Sequence, residues 1–201
     1  PSASVRRAFS PRARWTGMGF HTFDADRADN LEDESRFRYV SVDELLALFD
    51  PGPESTVADL GSGTGFYTDE IAPYADTVYA VDVQEAMHDH YREKGLPENV
   101  DPVTAEVGSL PFPDDHLDGA VSTMTYHEFA TEPALAELRR VLAPGARLGV
   151  ADWTAAGRGE RGPPVGERFA AEEARAALDA AGFVVERAED RRETFVCTAI
   201  A

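Results

Sequence analysis

The chain has 201 residues, of which 43% are hydrophobic and 9% aromatic, enough to bury a core without cross-links. Its single cysteine excludes an intrachain disulfide and any multi-cysteine zinc or iron–sulfur site. The net charge of −18 disfavours binding to nucleic acids and to anionic membranes. No apolar run approaches the roughly 18 residues of a membrane-spanning helix. The N-terminal arginines are followed by no apolar signal segment, so we expect a cytoplasmic protein.

Two regions of the chain differ in their patterning. Residues 1–40 are rich in arginine, aromatic and acidic residues with weak periodicity, which is typical of an arm or lid. Residues 41–201 form one expected domain, which opens with a helix capped by Ser41. The apolar residues of this helix that share helical spacing are Leu45, Leu46 and Phe49.

From Thr56 onward, short β-rich runs alternate with helical patterns. Strands are expected at TVADL, TVYAVD, VDPVTAE, DGAVSTM, GARLGVADW, FVVERAE and TFVCTAI. Such alternation predicts an α/β fold in which helices cover both faces of a mostly parallel sheet. Too few residues join the last two runs for a helical crossover, so these two strands should pair antiparallel.

The clearest chemical signal is VADLGSGTGF, in which a buried strand leads into a glycine turn and then a helix. Gly61, Gly63 and Gly65 allow a tight turn and a close approach of the backbone to a ligand. The following helix N-terminus favours a negative group such as a carboxylate or phosphate. Because Phe66 stands where the dinucleotide fingerprint has its last glycine, the spacing is G-x-G-x-G. A glycine cluster alone is also compatible with a purely structural turn.

Acidic residues end the next two predicted strands. Asp82 is suited to bind both hydroxyls of a ribose, or to cap the helix that follows it. Glu106 can accept a hydrogen bond from an adenine amino group, with Val107 and Met87 on the two faces of the ring. Taken alone, Met87 is better explained by core packing against Tyr91, four residues later on the same helix.

Four segments resemble the motifs of the class I S-adenosylmethionine-dependent methyltransferases, type 11 group, in order and spacing: VADLGSGTGF, VYAVDVQEAM, LPFPDDHLDGAV and ELRRVLAPGARLGVADW. The resemblance covers about residues 41–201. It implies a Rossmann-like three-layer α/β sandwich, with a seven-stranded, mostly parallel sheet and an antiparallel last strand. It also implies S-adenosylmethionine as the cofactor. The implied cofactor contacts are Asp59, Gly61, Ser62, Gly63, Gly65, Asp82, Val83, Met87, Glu106, Val107 and Thr123.

Within this resemblance, residues 61–65 match the site of the methionine part and Asp82 that of the ribose. Asp59 matches the acidic position that faces the methionine amino group. Val83 lies at the expected adenine site. Glu106 stands where the family more often has aspartate, so the acidic function is retained on a longer side chain.

The methyl acceptor is expected at the carboxyl ends of the fourth and fifth strands. His127 is the candidate base or substrate-orienting residue, because an imidazole titrates near neutral pH; a local capping or packing role is the alternative. Tyr126, Asp152 and Trp153 are candidate substrate contacts. His21 either folds over the site with the arm or is exposed there.

The remaining histidines and the cysteine carry no functional expectation. Cys197 is expected in the core of the last strand. No histidine pair has metal-ligand spacing with a carboxylate, so no metal is expected. The histidines expected on a solvent-facing side of a helix or on a loop are His88, His90 and His116.

The segment 157–168 is the second expected lid. It gathers three arginines in an otherwise acidic chain, and these would attract an anionic substrate or remain solvated: Arg158, Arg161 and Arg168.

The expected function is methyl transfer from S-adenosylmethionine to a small molecule by in-line displacement. A nicotinamide-dependent oxidoreductase is the first alternative, although Phe66 and the LPFPDD segment disfavour this class of enzyme. A non-catalytic S-adenosylmethionine-binding protein is the second. The expected partner is a small-molecule substrate, with no nucleic acid and no membrane, and a homodimer is left open.

The acidic composition generates a prediction about salt. Lys94 is the only lysine, and 37 acidic residues face 19 basic ones. Molar salt shortens the screening length to about 3 Å and so removes the self-repulsion of the charged surface. We therefore predict a halophilic protein with a higher melting temperature in molar KCl than in dilute buffer. Equal or greater stability in dilute buffer would contradict this adaptation.

Overall fold

The computed structural model describes residues 25–201. His21 and the first part of the predicted arm lie outside the described residues. Two 3-10 segments, Ala25–Glu32 and Glu34–Arg38, precede the first α-helix.

The helices and strands match the predicted alternation. The helices are α1 (Val42–Phe49), α2 (Thr68–Ile71), α3 (Glu85–Lys94), α4 (Tyr126–Phe129), α5 (Glu132–Val141) and α6 (Ala171–Ala180). The strands are β1 (Thr56–Leu60), β2 (Thr77–Asp82), β3 (Val100–Thr104), β4 (Leu117–Thr123), β5 (Leu142–Trp153), β6 (Val184–Asp190) and β7 (Thr194–Ile200). No helix within residues 25–201 has the length and apolar character needed to cross a membrane.

All seven strands form one sheet in the order β3-β2-β1-β4-β5-β7-β6. Neighbouring strands from β3 through β5 are parallel, whereas β7 runs antiparallel to both β5 and β6. The predicted α/β class and the antiparallel C-terminal strand are therefore confirmed. The strand order reverses between β1 and β4, and a crevice opens at such a point because successive helices leave on opposite faces of the sheet.

Buried apolar side chains fill both faces of the sheet. One core cluster joins the sheet to α5 and α6 through Leu138 and Leu178, and the other joins it to α1 and α3 through Leu45 and Tyr91. Helices cover both faces of the sheet, as expected for strands that bury apolar residues on both sides. The result is the predicted three-layer sandwich.

Helix α1 begins where the sequence predicted, since the Ser41 hydroxyl accepts a hydrogen bond from Glu44 N at 3.3 Å. Its buried side differs by one position from the prediction, because Leu48 is buried and Leu46 is only partly so. The reason is a close approach to β5: a Cβ added at Gly149 would lie 2.7 Å from Leu48 Cβ.

Two histidines are less exposed than predicted, whereas His90 is exposed as expected. His88 is fully buried, with Nδ1 3.0 Å from Thr104 Oγ1, because α3 turns this side toward β2 and β3. The ring of His116 is half-buried and stacks on Phe112 at a centroid distance of 5.7 Å. Cys197 lies in the core, as predicted, and burial raises the pKa of its thiol to about 12. A thiol with so high a pKa carries almost no reactive thiolate at neutral pH.

The turn between β1 and α2 depends on backbone without side chains. Gly65 has a φ of +81°, and a Cβ at this position would lie 2.2 Å from Cζ of Tyr91. The Tyr91 ring cannot move away from an added Cβ, because the ring is buried and its hydroxyl donates to Asp69 Oδ1 at 2.6 Å.

This packing generates a prediction about stability. Gly145 has a similar φ of +88° but nothing within 4 Å of an added Cβ. A substitution at Gly145 therefore measures the cost of the left-handed backbone conformation without any overpacking. We expect Gly145→Ala to lower the free energy of unfolding by about 1–2 kcal/mol. Gly65→Ala should cost a further ~1–3 kcal/mol from overpacking against Tyr91. Chemical denaturation measures both, and equal losses for the two variants would contradict the close contact.

Candidate active site

A cavity of about 860 Å³ lies at the carboxyl edge of the sheet. This volume falls within the ~300–1,000 Å³ of small-molecule sites. Its walls come from the ends of β1 to β5, from the segment 27–39, and from the loop at 161–163. Both predicted lids thus contribute side chains to the same cavity.

Most of the predicted cofactor residues lie together along one side of the cavity. Those that line it are Gly61, Ser62, Gly63, Asp82, Val83, Met87, Glu106, Val107 and Thr123. Gly65 and Asp59 do not line it. Gly65 faces Tyr91, as described above, and Asp59 is buried at the end of β1.

Asp59 is a buried carboxylate with one hydrogen bond still to make. Its Oδ2 accepts from Thr68 Oγ1 at 2.7 Å, but Oδ1 has no hydrogen-bond partner within the described residues. Burial raises the pKa of Asp59 to about 6, against the opposing effects of the Thr68 hydrogen bond and the Arg36 charge. A cationic group placed near Asp59 would therefore stabilise its ionised form.

Asp82 ties the glycine turn to the end of β2. Its Oδ2 accepts from Gly63 N and its Oδ1 from Gln84 N, both at 2.9 Å. The N-cap of α3 is Gln84 and has no side-chain cap bond, so the predicted alternative that Asp82 caps this helix is wrong, and Asp82 instead fixes the turn before it. A carboxylate has about four acceptor sites. Two of them remain for ligand hydroxyls.

An apolar slot with an acidic end follows Asp82. Val83 is 46% exposed although it is apolar, and it lies on the cavity wall near the buried Met87 and Val107. Glu106 is exposed at the same wall. Apolar faces and one carboxylate suit a flat heterocycle that carries an amino group. Met87 is 1% exposed and lines the cavity.

The segment 25–38 rests directly on the glycine turn. A Cβ at Gly63 would lie 3.2 Å from Leu31 Cδ1, and the Thr64 hydroxyl donates to the Glu32 carboxylate. Glu32 in turn pairs with Lys94 at 3.2 Å. These contacts fix the end of the arm over the predicted cofactor side.

Arg36 is a cavity residue that the sequence did not single out. Its guanidinium lies 4.9 Å from the ring centroids of both Phe66 and Tyr67, and Nη1 donates to Leu31 O at 2.6 Å. Burial lowers the pKa of Arg36, and nearby Tyr67 and Asp59 oppose this shift. The mixture of arginine and aromatic residues in the arm was the only sequence signal for this arrangement.

His127 and Asp152 form a hydrogen-bonded pair on the other side of the cavity. His127 Nδ1 lies 2.9 Å from Asp152 Oδ2, and the same oxygen accepts from His127 N at 2.6 Å. The other oxygen of Asp152 accepts from Trp153 N at 2.7 Å. His127 lines the cavity as predicted, whereas Asp152 is fully buried behind it.

Two predicted substrate contacts therefore need correction. Asp152 contacts His127 and Trp153 and does not reach the cavity wall. Tyr126 is 1% exposed, and its ring packs edge-on against Phe129 and Phe169 instead of facing the cavity. Both side chains turn inward because α4 packs on β5.

The charges around His127 and its burial have opposite effects on the pKa of the imidazole. Burial alone lowers the pKa of the imidazole, but Asp152 and, more weakly, Glu128 and Glu167 raise it, and the net shift is upward. Glu128 also lines the cavity, with Oε1 3.9 Å from His127 Nε2, and the sequence analysis did not identify it. Burial raises the pKa of Glu128 to about 7.

Aromatic rings form the wall beside this pair. Trp153 lines the cavity as predicted, and its ring meets Tyr39 edge-on at a centroid distance of 4.8 Å. Gly162 has a φ of +83° and lies against the indole, where a Cβ would come within 2.5 Å of Trp153 Cδ2. The loop therefore lies directly against the indole.

The three loop arginines have different environments. Arg161 lines the cavity, whereas the side chain of Arg158 is 70% exposed. Arg168 is not available to a substrate, which corrects its predicted role. Arg168 is 1% exposed, donates to Pro163 O at 2.9 Å and lies 3.8 Å from the Glu193 carboxylate. It holds the loop in place from inside.

No group of three or more histidine, cysteine, aspartate and glutamate side chains suited to a metal ion occurs within residues 25–201.

Comparison with known proteins places this geometry in a family. Residues 58–150 match the type 11 methyltransferase domain model. The fold superposes with a TM-score of 0.81 on the crystal structure of a SAM-dependent methyltransferase from Aquifex aeolicus, at 32% identity over 89% of this chain and 99% of that one.

Curated relatives show the same likeness over a shorter range. An uncharacterised methyltransferase-like protein of Schizosaccharomyces pombe is 33% identical over 64% of this chain, and a ubiquinone/menaquinone biosynthesis C-methyltransferase of Ectopseudomonas mendocina is 34% identical over 52%. The matches span 50% and 44% of those relatives' own length. By its near-complete match to the Aquifex protein, together with the glycine turn and the strand order, the chain belongs to the class I S-adenosylmethionine-dependent methyltransferases of the type 11 group.

Proposed function

We propose that this protein transfers a methyl group from S-adenosylmethionine to a small-molecule acceptor by in-line displacement. The observation that carries the proposal is one continuous cavity, with the glycine turn and Asp82 on one side and His127 and Trp153 on the other. When bound, the cofactor supplies a methyl group on a good leaving group. The protein then aligns donor and acceptor and excludes water, which lowers a barrier by as much as ~7–11 kcal/mol.

The residues on the turn side fit this cofactor. Asp59 lies buried behind the turn with one unpartnered oxygen, so its negative charge would favour the ammonium group of the methionine part, and Gly61 brings bare backbone to the cavity wall. Asp82 keeps acceptor sites for the ribose hydroxyls. The slot at Val83, Met87 and Val107, which ends at Glu106, suits adenine. Ser62, Gly63 and Thr123 complete the proposed contacts, and Gly65 shapes the turn from behind.

The acceptor side points to a small molecule. The cavity must hold the cofactor as well as the acceptor, and the segments 27–39 and 161–163 close over it. Tyr39, Trp153 and Arg161 lie outside the range of the matched family model, residues 58–150. We therefore infer that these segments, which lie outside the matched model, select the acceptor. One relative is named for C-methylation in quinone biosynthesis, which supports a small acceptor of this general kind.

Ligand-induced stabilisation tests the proposed cofactor. S-adenosylhomocysteine, at 100 times its dissociation constant, should stabilise the fold by about 2.7 kcal/mol. NAD(H) and NADP(H) should not stabilise it. Asp82→Ala should abolish the shift in melting temperature, whereas Asp101→Ala, on an exposed residue of β3, should preserve it. A shift with the nicotinamide cofactors alone would identify the oxidoreductase alternative.

The raised pKa of Asp59 predicts how cofactor affinity depends on pH. The free protein holds a proton on this carboxyl below pH about 6. A bound ammonium group favours the ionised carboxylate, so binding should release a proton and weaken as the pH falls through this value. Calorimetry in two buffers of different ionisation enthalpy measures the released proton. Asp59→Asn should bind more weakly and without this pH dependence; a variant that keeps the dependence would exclude Asp59 as its source.

A further inference from the structure

We propose that Asp152 and His127 act as one general-base unit that removes the proton from a phenolic hydroxyl of the acceptor. In this unit His127 is the catalytic residue. Asp152 is a positioning residue that touches neither acceptor nor cofactor. The inference rests on the proposed function and adds to it the chemical class of the acceptor.

Asp152 determines which nitrogen of His127 is free. The carboxylate is fully buried and accepts from the backbone amides of both His127 and Trp153, so its position is fixed. With Nδ1 2.9 Å from Asp152 Oδ2, the proton of a neutral imidazole lies on Nδ1, between the two groups. The lone pair is then on Nε2.

His127 faces the cavity. Its side chain is 11% exposed and contributes to the cavity wall. The Trp153 and Tyr39 rings line the same cavity and meet edge-on at 4.8 Å. Aromatic rings of this kind pack best against a flat, apolar partner. An aromatic acceptor would lie on this wall with its hydroxyl toward His127.

The acidity of the acceptor's hydroxyl group further restricts its chemical class. A phenol such as the tyrosine side chain has a pKa of about 10, within a few units of an imidazole. The pKa of water is about 16, and an imidazole is a poor base for so weak an acid. Asp152, Glu128 and Glu167 face His127 and make it a stronger base.

The phenolic proton moves to His127 Nε2, and the freed electron pair on oxygen forms the new bond to the methyl carbon. The bond from this carbon to sulfur breaks, and its electrons remain on the sulfur as a thioether. The resulting imidazolium is stabilised by Asp152 until it loses its proton to solvent.

Nitrogen NMR of the histidine side chains tests the role of Asp152 without any substrate. Wild-type protein should show His127 with its proton on Nδ1 and a pKa above the ordinary value. Asp152→Asn should lower that pKa and mix the two tautomers, whereas Asp89→Asn, on an exposed residue, should change neither. A wild-type His127 protonated on Nε2 would overturn the proposal, whether or not the Asp152 variant folds.

Binding of 4-nitrophenol tests the base directly, because its phenolate is coloured. Wild-type protein saturated with S-adenosylhomocysteine should lower the pKa of the bound compound, because its phenolate pairs with the protonated imidazole, so colour should develop at a lower pH than for the free compound. His127→Gln should remove this colour, and His90→Gln, on an exposed histidine, should retain it. Wild-type protein that binds the compound still protonated, or not at all, would overturn the proposal. Failure to bind S-adenosylhomocysteine would count against the proposed function instead.

Methylation of the same compound to 4-nitroanisole gives the kinetic readout. His127→Gln should reduce kcat by roughly 10²–10⁴-fold. Asp152→Asn should reduce it by roughly 10–100-fold. The acid limb of kcat/KM, which reports deprotonation of His127, should also move to lower pH in Asp152→Asn. Unchanged rates in His127→Gln would overturn the proposed general-base unit. So would an acid limb of kcat/KM that stays at the wild-type pH in a folded Asp152→Asn variant.

Discussion

Carboxylates at strand ends, each bonded to main-chain amides, hold both halves of the cavity together. Asp82 accepts from the amides of Gly63 and Gln84, and Asp152 accepts from those of His127 and Trp153. Parallel strands end at the same edge, so each carboxylate meets the amides of a neighbouring turn. Charge-assisted bonds of this type are shorter and stronger than neutral ones. The sheet thereby fixes loops that would otherwise move independently.

Arginine has a structural role in this acidic chain. Arg168 donates to carbonyl groups of the loop it supports, and Arg140 donates to Phe112 O while pairing with Glu137 and Asp114. Its several donors in a rigid plane let one residue organise a whole irregular segment, which a lysine could not do as well. Loops without regular secondary structure thus obtain defined shapes on both sides of the cavity.

Sequence pattern predicted the fold well and named many of the residues that line one side of the cavity, since both depend on local periodicity and short motifs. The strands, the antiparallel C-terminal pair and the glycine turn followed from adjacent residues. The errors concern contacts between distant segments: Leu48 faces the sheet because Gly149 admits it, and Arg168 is buried because Glu193 lies near it. The inward position of Asp152 likewise depends on α4. Spacing within one segment carries no information about such partners.

The arm has a consequence for the occupancy of the proposed cofactor site. Leu31 and Glu32 rest on Gly63 and Thr64, the backbone on which the cofactor is proposed to lie. Glu32 also pairs with Lys94 of α3, so the arm is anchored at two points beside the proposed nucleoside site. The same polar contacts that shape this wall of the cavity would therefore also couple the position of the arm to the occupancy of the site.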